Sequence, residues 1–559
     1  MLFTFKKEKD HLIKKLITDK WHVAAYLFIT LLLLVGFIIY KDYGIFWDDP
    51  YMRRGGFVSL KSVYEYLNIH NILSFFADNA PIPLERMPSL KDYNHNNDTQ
   101  RFYGVVFDLP VGFLEYIFFG DLGISGEIQK VYSFRNLIRF LVFTLCVWSL
   151  YLQAKKIFMS SLAGVVAMIF IVFSPLIFSA SFYNHKDIFF MIFVTFGMHT
   201  LIKFILTPTI KTAVMHAITT SLAIAMRPMG VFFLPLSLFV IFLFLYSKKN
   251  NKILFIKSYV IYFIFSILFV ILFFPYLWES PLKNFIAILS YMKKFPVLAD
   301  STVLYMGANI HMSDLPWHYI PFWIAVTTPP IILIFFIIGI IILIVNLLKT
   351  HPRNYDIQKI LLICHLSIVI APILLVILNK SSLHNGWRQM YFVYPSFILT
   401  STYGFMWIFK KIKIWRYSTF IIGVIFFIFI SYQLNWMIKS HPMQNVYFNF
   451  LVGSNWKEKF DLDYGGVGNH VMIKNILSTD KRDSISICAL SYTPLSHSLY
   501  ALSKAERDRV KIECSGQPDY LLTNYYKTRN PNLLNNNYKI VNEKKIFDET
   551  IITMYKRMN

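Results

Sequence analysis

The sequence predicts an all-α polytopic membrane protein with a small C-terminal α/β domain, on three observations. Its 559 residues are 56% hydrophobic and 18% aromatic but only 16% charged, with a mean hydropathy of +0.49, which sets the chain apart from soluble globular domains. Apolar stretches long enough to cross about 30 Å of hydrocarbon recur from residue 23 to about residue 437, with polar breaks between them. Beyond Lys439 these stretches end.

About eleven transmembrane helices are expected, over residues 23–40, 134–151, 159–178, 188–206, 213–226, 231–246, 256–274, 321–348, 360–378, 391–409 and 418–437. The fifth and sixth are short and separated only by Arg227-Pro228-Met229-Gly230, where the proline and the charge predict a turn. Residues 1–438 thus form a membrane module and residues 439–559 a separate domain. In that domain 484–489, 519–523 and 550–555 read as strands, and 471–477 and 499–507 as helices. The glycine run 465–468 follows no strand and reads as a loop rather than a phosphate cradle.

Orientation follows from Lys and Arg in the short loops, which resist translocation. The segment before the first span holds Lys6, Lys7, Lys9, Lys14, Lys15 and Lys20. Alternate loops hold Lys155 and Lys156, then Lys248, Lys249 and Lys252, then Lys349 and Arg353, then Lys410, Lys411, Lys413 and Arg416. This predicts a cytoplasmic N-terminus and, after an odd number of crossings, an extracytoplasmic C-terminal domain. The net charge of +23 is then a topology signal with attraction to anionic membrane lipids, and nucleic acid is not the expected partner. The first apolar run lacks a small-residue cleavage site and reads as a retained anchor. Cys146 and Cys364 fall inside spans, whereas Cys488 and Cys514 lie in the exported domain, where the compartment permits a disulfide but the sequence supplies no geometry for one.

Two outer loops, about 41–133 and 276–319, are too long to be simple connectors. In the first, 58–67 and 103–114 are amphipathic or charge-interrupted and predict interfacial helices. The second ends in the aromatic run Asp314-Leu315-Pro316-Trp317-His318-Tyr319, suited to the headgroup region.

Ionisable residues gather at the outward ends of spans. Asp48 and Asp49 follow the first, Asn184-His185-Lys186-Asp187 precedes the fourth, Arg227 ends the fifth, and His384-Asn385-Gly386-Trp387-Arg388 precedes the tenth. Taken singly, such residues cap helices or snorkel to the interface. Taken together, they all fall on one side of the membrane, where one catalytic face could form. His365, inside a span, reads as a hydrogen-bonded core residue rather than a proton relay.

In this order along the chain, the motifs resemble integral-membrane glycosyltransferases of the GT-C superfold, in particular those similar to protein O-mannosyltransferases and the lipid A aminoarabinose transferase. The carriers are Asp48-Asp49, Asn184-His185-Lys186-Asp187, Ala225-Met226-Arg227-Pro228-Met229-Gly230, Leu315-Pro316-Trp317-His318-Tyr319, Asn385-Gly386-Trp387-Arg388 and His441-Pro442-Met443-Gln444-Asn445 leading to Asp463-Tyr464-Gly465-Gly466. The resemblance implies transfer of a sugar from a polyprenyl-phosphate-linked donor to a glycan, lipid or protein acceptor on the extracytoplasmic face of the plasma (inner) membrane. An inverting displacement needs one carboxylate as base, for which Asp48 is the candidate, with Asp49 beside it. Asp49 and Asp187 would orient hydroxyls, and Lys186, Arg227 and Arg388 would hold the phosphate, with His318 and Tyr319 as further substrate contacts. Lys186 has the alternative of pairing with Asp187 or facing solvent. No cofactor is required, although Asp48 and Asp49 could hold Mg²⁺ or Mn²⁺ through oxygen. The competing class is a transporter or flippase of lipid-linked sugar, and a ligand sensor would leave the acidic pair unexplained.

Overall fold

The computed structural model describes residues 19–67, 90, 102–119, 128–247, 252–294, 301–412 and 417–558. The lysines before residue 19, Lys248, Lys249, Lys413 and Arg416, and most of the first outer loop between residues 68 and 127, lie outside the described residues.

In chain order the first helices are α1 (Lys20–Ile39), α2 (Asp49–Leu67), α3 (Asp108–Phe119), α4 (Ile128–Phe158), α5 (Ser161–Val172), α6 (Pro175–Tyr183), α7 (His185–Leu206) and α8 (Ile210–Met226). They are followed by α9 (Phe233–Ser247), α10 (Lys252–Phe273), α11 (Pro281–Lys294), α12 (Tyr319–Thr327), α13 (Pro330–Leu348), α14 (Ile357–Leu378), α15 (Tyr394–Ile412), α16 (Ser418–Ser440) and α17 (Asn469–Thr479). Among the described residues nine of these, α1, α4, α7, α9, α10 and α13 to α16, are long and apolar enough to cross a membrane, α9 and α15 being counted with the 3-10 turns Pro228–Phe232 and Arg388–Val393 that lead into them. The molecule is therefore a helical membrane protein.

The expected count of eleven is not reached on length and composition, and the shortfall has two causes. The stretch 159–178 is not one straight span: α5 and α6 meet at 71° around Phe173 and Ser174, where Pro175 restarts the helix. Counted as one broken span, the pair raises the total to ten. The other cause is α8, apolar but only 17 residues long. The stretch 321–348 also divides, into α12 and α13, because Pro329 and Pro330 interrupt the helical hydrogen bonding after Thr328.

Burial decides which helices are central. Within its apolar window α7 is 83% buried, against 22% for α1 and for α16, so the helix carrying Lys186 and Asp187 is the axis of the bundle. The segments expected to lie on the membrane surface are better anchored than that. Helix α2 already begins at Asp49, and α3 buries Asp108, Val111, Gly112, Glu115 and Tyr116 against the bundle. His365 is buried with Nδ1 3.0 Å from the Ser396 hydroxyl.

The C-terminal region holds a five-stranded sheet. Strands β1 (Thr302–Tyr305) and β2 (Ala308–His311) form a separate hairpin in the second long loop, and Tyr305 bridges to Phe460. The sheet itself is built from β3 (Ile485–Ala489), β4 (Val510–Ile512), β5 (Tyr520–Thr523), β6 (Tyr538–Ile546) and β7 (Glu549–Arg557), in the order β4-β3-β5-β7-β6. The pairs β3–β4 and β3–β5 are parallel, and β7 runs antiparallel to β5 and β6. Three of these strands and α17 match the sequence reading. The helix expected over 499–507 is instead a series of short pieces, Leu495–Ser498, Leu499–Ala501 and Lys504–Asp508. Cys488 and Cys514 form a disulfide, with Cα atoms 5.2 Å apart.

This domain sits on the end of the bundle where α1 finishes. The Tyr43 hydroxyl donates to Gln444 at 3.1 Å, the His470 ring meets the Asp42 carbonyl at 3.1 Å, and Trp47 N donates to Gly465 O at 3.2 Å. The glycine run is therefore a loop that pins the Asp48 turn. The amides of Val467 and Gly468 are taken by Asp463, at 3.1 and 2.8 Å.

Candidate active site

Four chain segments bring ionisable groups together above α7. The first turn of α7 is capped by Asn184, whose side chain accepts from Asp187 N at 3.0 Å and donates to Asp187 Oδ2 at 3.0 Å. This fixes Asp187. Arg227, at the C-cap of α8, forms an ion pair with Asp187. Arg388 opens the helical stretch leading into α15, beyond a turn in which Asn385 and Gly386 both adopt positive φ, 58° and 70°. Its guanidinium donates through Nη1 to Asp48 Oδ2 at 3.0 Å, and its Nε lies 3.9 Å from Asp187 Oδ2. Asp48 thus reaches across the bundle to a residue 340 positions away, and Arg388 bridges the two carboxylates.

The structure brings Asp48, Lys186, Asp187, Arg227 and Arg388 into one cluster. Lys186 neither pairs with Asp187 at ion-pair distance nor stands free; its amine lies 3.2 Å from the centre of the Tyr103 ring. Tyr103 is held there by Gly104, where any side chain would run into the Ala225 carbonyl, since a Cβ would lie 1.3 Å from that oxygen. Arg388 also lies over Phe46 and Tyr464, at 5.2 and 5.6 Å from the ring centres. Its Nη2 donates to His384 Nε2 at 3.0 Å, and the Gln389 amide nitrogen lies 3.0 Å from His384 Nδ1. Burial and the neighbouring Arg388 hold His384 well below the usual imidazole range, so it is neutral at pH 7.

Asp48 is the open member of the cluster, its side chain 27% exposed against 1% for Asp187. Desolvation pushes its pKa up, but the charges of Arg388 and Lys186 outweigh that and hold the carboxyl at about 2. It is ionised throughout the physiological range.

Asp49 does not join this cluster. Its side chain turns the other way into a second, buried network, with Oδ1 2.5 Å from Arg139 Nη2 and 3.5 Å from Arg135 Nε. Arg135 also pairs with Asp108 and Glu115, Glu115 binds Arg53 Nε at 2.8 Å, and His185 lies 3.3 Å from Asp108. Arg139 donates to the Phe182 carbonyl at 3.3 Å and to Asn136, which in turn holds the Tyr43 carbonyl at 3.2 Å. Asp49, Asp108, Glu115, Arg135 and Arg139 are each at most 1% exposed. The acidic pair is thus divided: one carboxylate faces the open cluster and its neighbour anchors the turn. Asp48 and Asp49 therefore turn to different partners in this structure, and among the described residues no group of three or more His, Cys, Asp or Glu is placed to hold a metal.

His318 and Tyr319 also lie apart. His318 Nδ1 is 2.8 Å from the Tyr305 hydroxyl, and Tyr319 packs on Tyr305 with ring centres 4.9 Å apart while its hydroxyl faces the Gly386 backbone. They support the turn before Arg388 rather than the cluster itself.

Beside that turn, a tight cavity of about 30 Å³ is lined by Trp387, Tyr391, Asn445, Asp461, Asp463 and Tyr464, among others. Burial raises both Asp461 and Asp463 to about 6, despite their backbone hydrogen bonds. A carboxyl whose value is higher folded than unfolded stabilises the fold fully below its unfolded value of 3.8, and that contribution is lost as pH rises through about 6. Thermal unfolding is therefore expected to show a decline in stability from roughly pH 4 to 7. Asp461→Asn, whose amide oxygen still accepts from Leu304, is expected to flatten it by up to about 3 kcal/mol; an unchanged slope in the variant would contradict this.

From the sequence, Glu115, Arg135 and Arg139 are not singled out, Tyr103 and Asp108 enter only within the segment 103–114 and Tyr464 only within a motif, and none of these last three is given a site role. Arg135 and Arg139 carried a readable signal, since two arginines inside an apolar span need buried partners. Neither a family model nor a curated protein matches the chain.

Proposed function

We propose that the protein is a membrane glycosyltransferase of GT-C type that moves a sugar from a polyprenyl-phosphate donor to an acceptor on the extracytoplasmic face of the plasma membrane. The observation that carries this reading is the cluster at one end of the bundle: a half-open carboxylate, Asp48, bound to Arg388 with Arg227 and Lys186 beside it. Eleven crossings follow if α8 and the α5–α6 pair each span the bilayer, and the C-terminal domain is then extracytoplasmic. The disulfide fits that compartment.

The chemistry follows from the charges. A polyprenyl chain stays in the hydrocarbon and its phosphate at the interface, where Arg388, Arg227 and Lys186 supply donors for the leaving oxygens. The acceptor hydroxyl gives its proton to Asp48, its oxygen attacks the anomeric carbon, and the bond from that carbon to the phosphate oxygen breaks with the electron pair leaving on the phosphate. Configuration inverts. A carboxyl held near 2 by Arg388 is a feeble base. A phosphate that draws Arg388 toward itself removes that hold, so donor binding returns basicity to Asp48 as the reaction needs it. Asp187, paired with Arg227, keeps the second guanidinium in position.

Arg388→Ala is expected to weaken donor binding by about 10- to 100-fold, and Arg388→Lys to recover only part of it because the planar fork is lost. Titration of the purified protein with a polyprenyl-phosphate hexose measures this, and equal affinity in all three proteins would contradict the phosphate role. A broader test is mass spectrometry of surface glycans and glycoproteins from cells with and without the protein. The reading expects one sugar to be missing, and identical glycans would count against it. A transporter of lipid-linked sugar is the second reading, favoured by the broken α5–α6 pair.

A further inference from the structure

A second cavity, of about 210 Å³, opens between the Asp48 turn and the C-terminal domain. Trp47, Tyr51, Tyr492 and His497 contribute rings to its wall, and Arg529 and Cys514 line it from the sheet side. Trp47 stacks on Tyr492, with ring centres 5.1 Å apart and planes 23° from parallel, and Tyr51 meets His497 edge-on at 5.3 Å. The Arg529 guanidinium lies 5.5 Å from the centre of the Tyr492 ring. Arg529 is exposed, and among the described residues no carboxylate forms an ion pair with it. Trp47 precedes Asp48 directly in the chain, and His497 lies within the electrostatic reach of both Asp48 and Asp49.

These features suit one class of molecule. Ring faces carry partial negative charge and match the polarised C–H face of a pyranose, whereas aliphatic walls would suit a lipid tail. A guanidinium held beside a ring and lacking a carboxylate partner is a ready fork for a carboxylate or phosphate. The cavity belongs to the domain beyond the helix ends, so its occupant comes from water.

We propose that this cavity is the acceptor subsite and that it binds a saccharide carrying an anionic group, with the sugar ring among Trp47, Tyr51 and Tyr492 and the anion on Arg529. The assignment of the occupant as acceptor rests on the transferase reading. Bound there, a saccharide is beside the one residue of the cluster that can take a proton from its hydroxyl. The cavity offers room for one ring, so the subsite reads the acceptor's terminal residue.

The test is a binding titration of the full-length protein in nanodiscs with three probes: a glucuronate-containing disaccharide, a hexose phosphate and an uncharged disaccharide. The proposal expects at least one anionic probe to bind about tenfold or more tighter than the uncharged one. Which anionic probe wins distinguishes a uronate from a phosphorylated sugar. Arg529→Gln should bring the anionic probes to the uncharged level, and Tyr492→Ala should weaken all three. Equal binding of charged and uncharged probes, no saturable binding, or indifference to Arg529→Gln would each overturn the proposal. Because binding is read without turnover, intact binding with no sugar transfer would count against the transferase reading alone. Transfer whose acceptor KM is unmoved by Arg529→Gln would count against the subsite alone.

Discussion

Asp48→Asn is expected to lower sugar transfer by about 10²- to 10⁴-fold, the range over which a positioned general base contributes, while leaving the protein folded and able to bind donor. The amide keeps the shape of the side chain and one oxygen to accept from Arg388, but has no lone pair basic enough to take the acceptor's proton. Arg388 keeps Asp187 Oδ2 3.9 Å from its Nε, so the neutral amide does not leave the buried guanidinium without a carboxylate nearby. With the carboxyl held at about 2 in the free protein, kcat/KM should show no Asp48 titration above roughly pH 4. The comparison is turnover of a labelled lipid-linked sugar by equal amounts of folded protein. Undiminished turnover in the variant would remove Asp48 from the mechanism.

Asp49→Ala, one residue along, is expected to behave in the opposite way. It removes the carboxylate that Arg139 holds at 2.5 Å and that Arg135 approaches at 3.5 Å, and both arginines are fully buried. An uncompensated charge in such a place costs about 3–5 kcal/mol. Much of the expressed protein should then unfold or aggregate, and its thermal transition in detergent should fall by many degrees. Arg139→Leu should cost a similar amount, and Asp49→Ala combined with Arg139→Leu less than the sum of the two, since the double variant leaves neither partner stranded. Strict additivity in this cycle would contradict the network. Adjacent carboxylates would then be separated by experiment as they are by geometry, Asp48 affecting rate and Asp49 stability.

The contrast between these neighbours indicates what could be read from the chain. Hydropathy located the apolar segments well because a span is a local property, and the same side was inferred for Asp48, Lys186, Asp187, Arg227 and Arg388, which the structure brings into one cluster. Averaging over a window concealed the breaks at Ser174 and Thr328, although Pro175 and the pair Pro329-Pro330 were signals for them. The side to which Asp49 turns was not legible, because it depends on partners 86 and 90 positions away, Arg135 and Arg139. In the C-terminal domain β3, β5 and β7 were legible as apolar or β-branched runs. Strands β4 and β6 were not, since they are the edges of the sheet and carry Lys511, Lys539, Lys544 and Lys545, as edge strands that avoid further pairing do.

The central claim is that Asp48 and the cations around it transfer a sugar rather than carry one across the bilayer. Proteoliposomes holding a labelled polyprenyl-phosphate sugar, supplied with envelope glycans as acceptors, test it most directly. The account predicts a new glycosidic product together with free polyprenyl phosphate, both absent with Asp48→Asn. Label that crosses the bilayer with its sugar–phosphate bond intact, and does so equally in the Asp48→Asn protein, would contradict it.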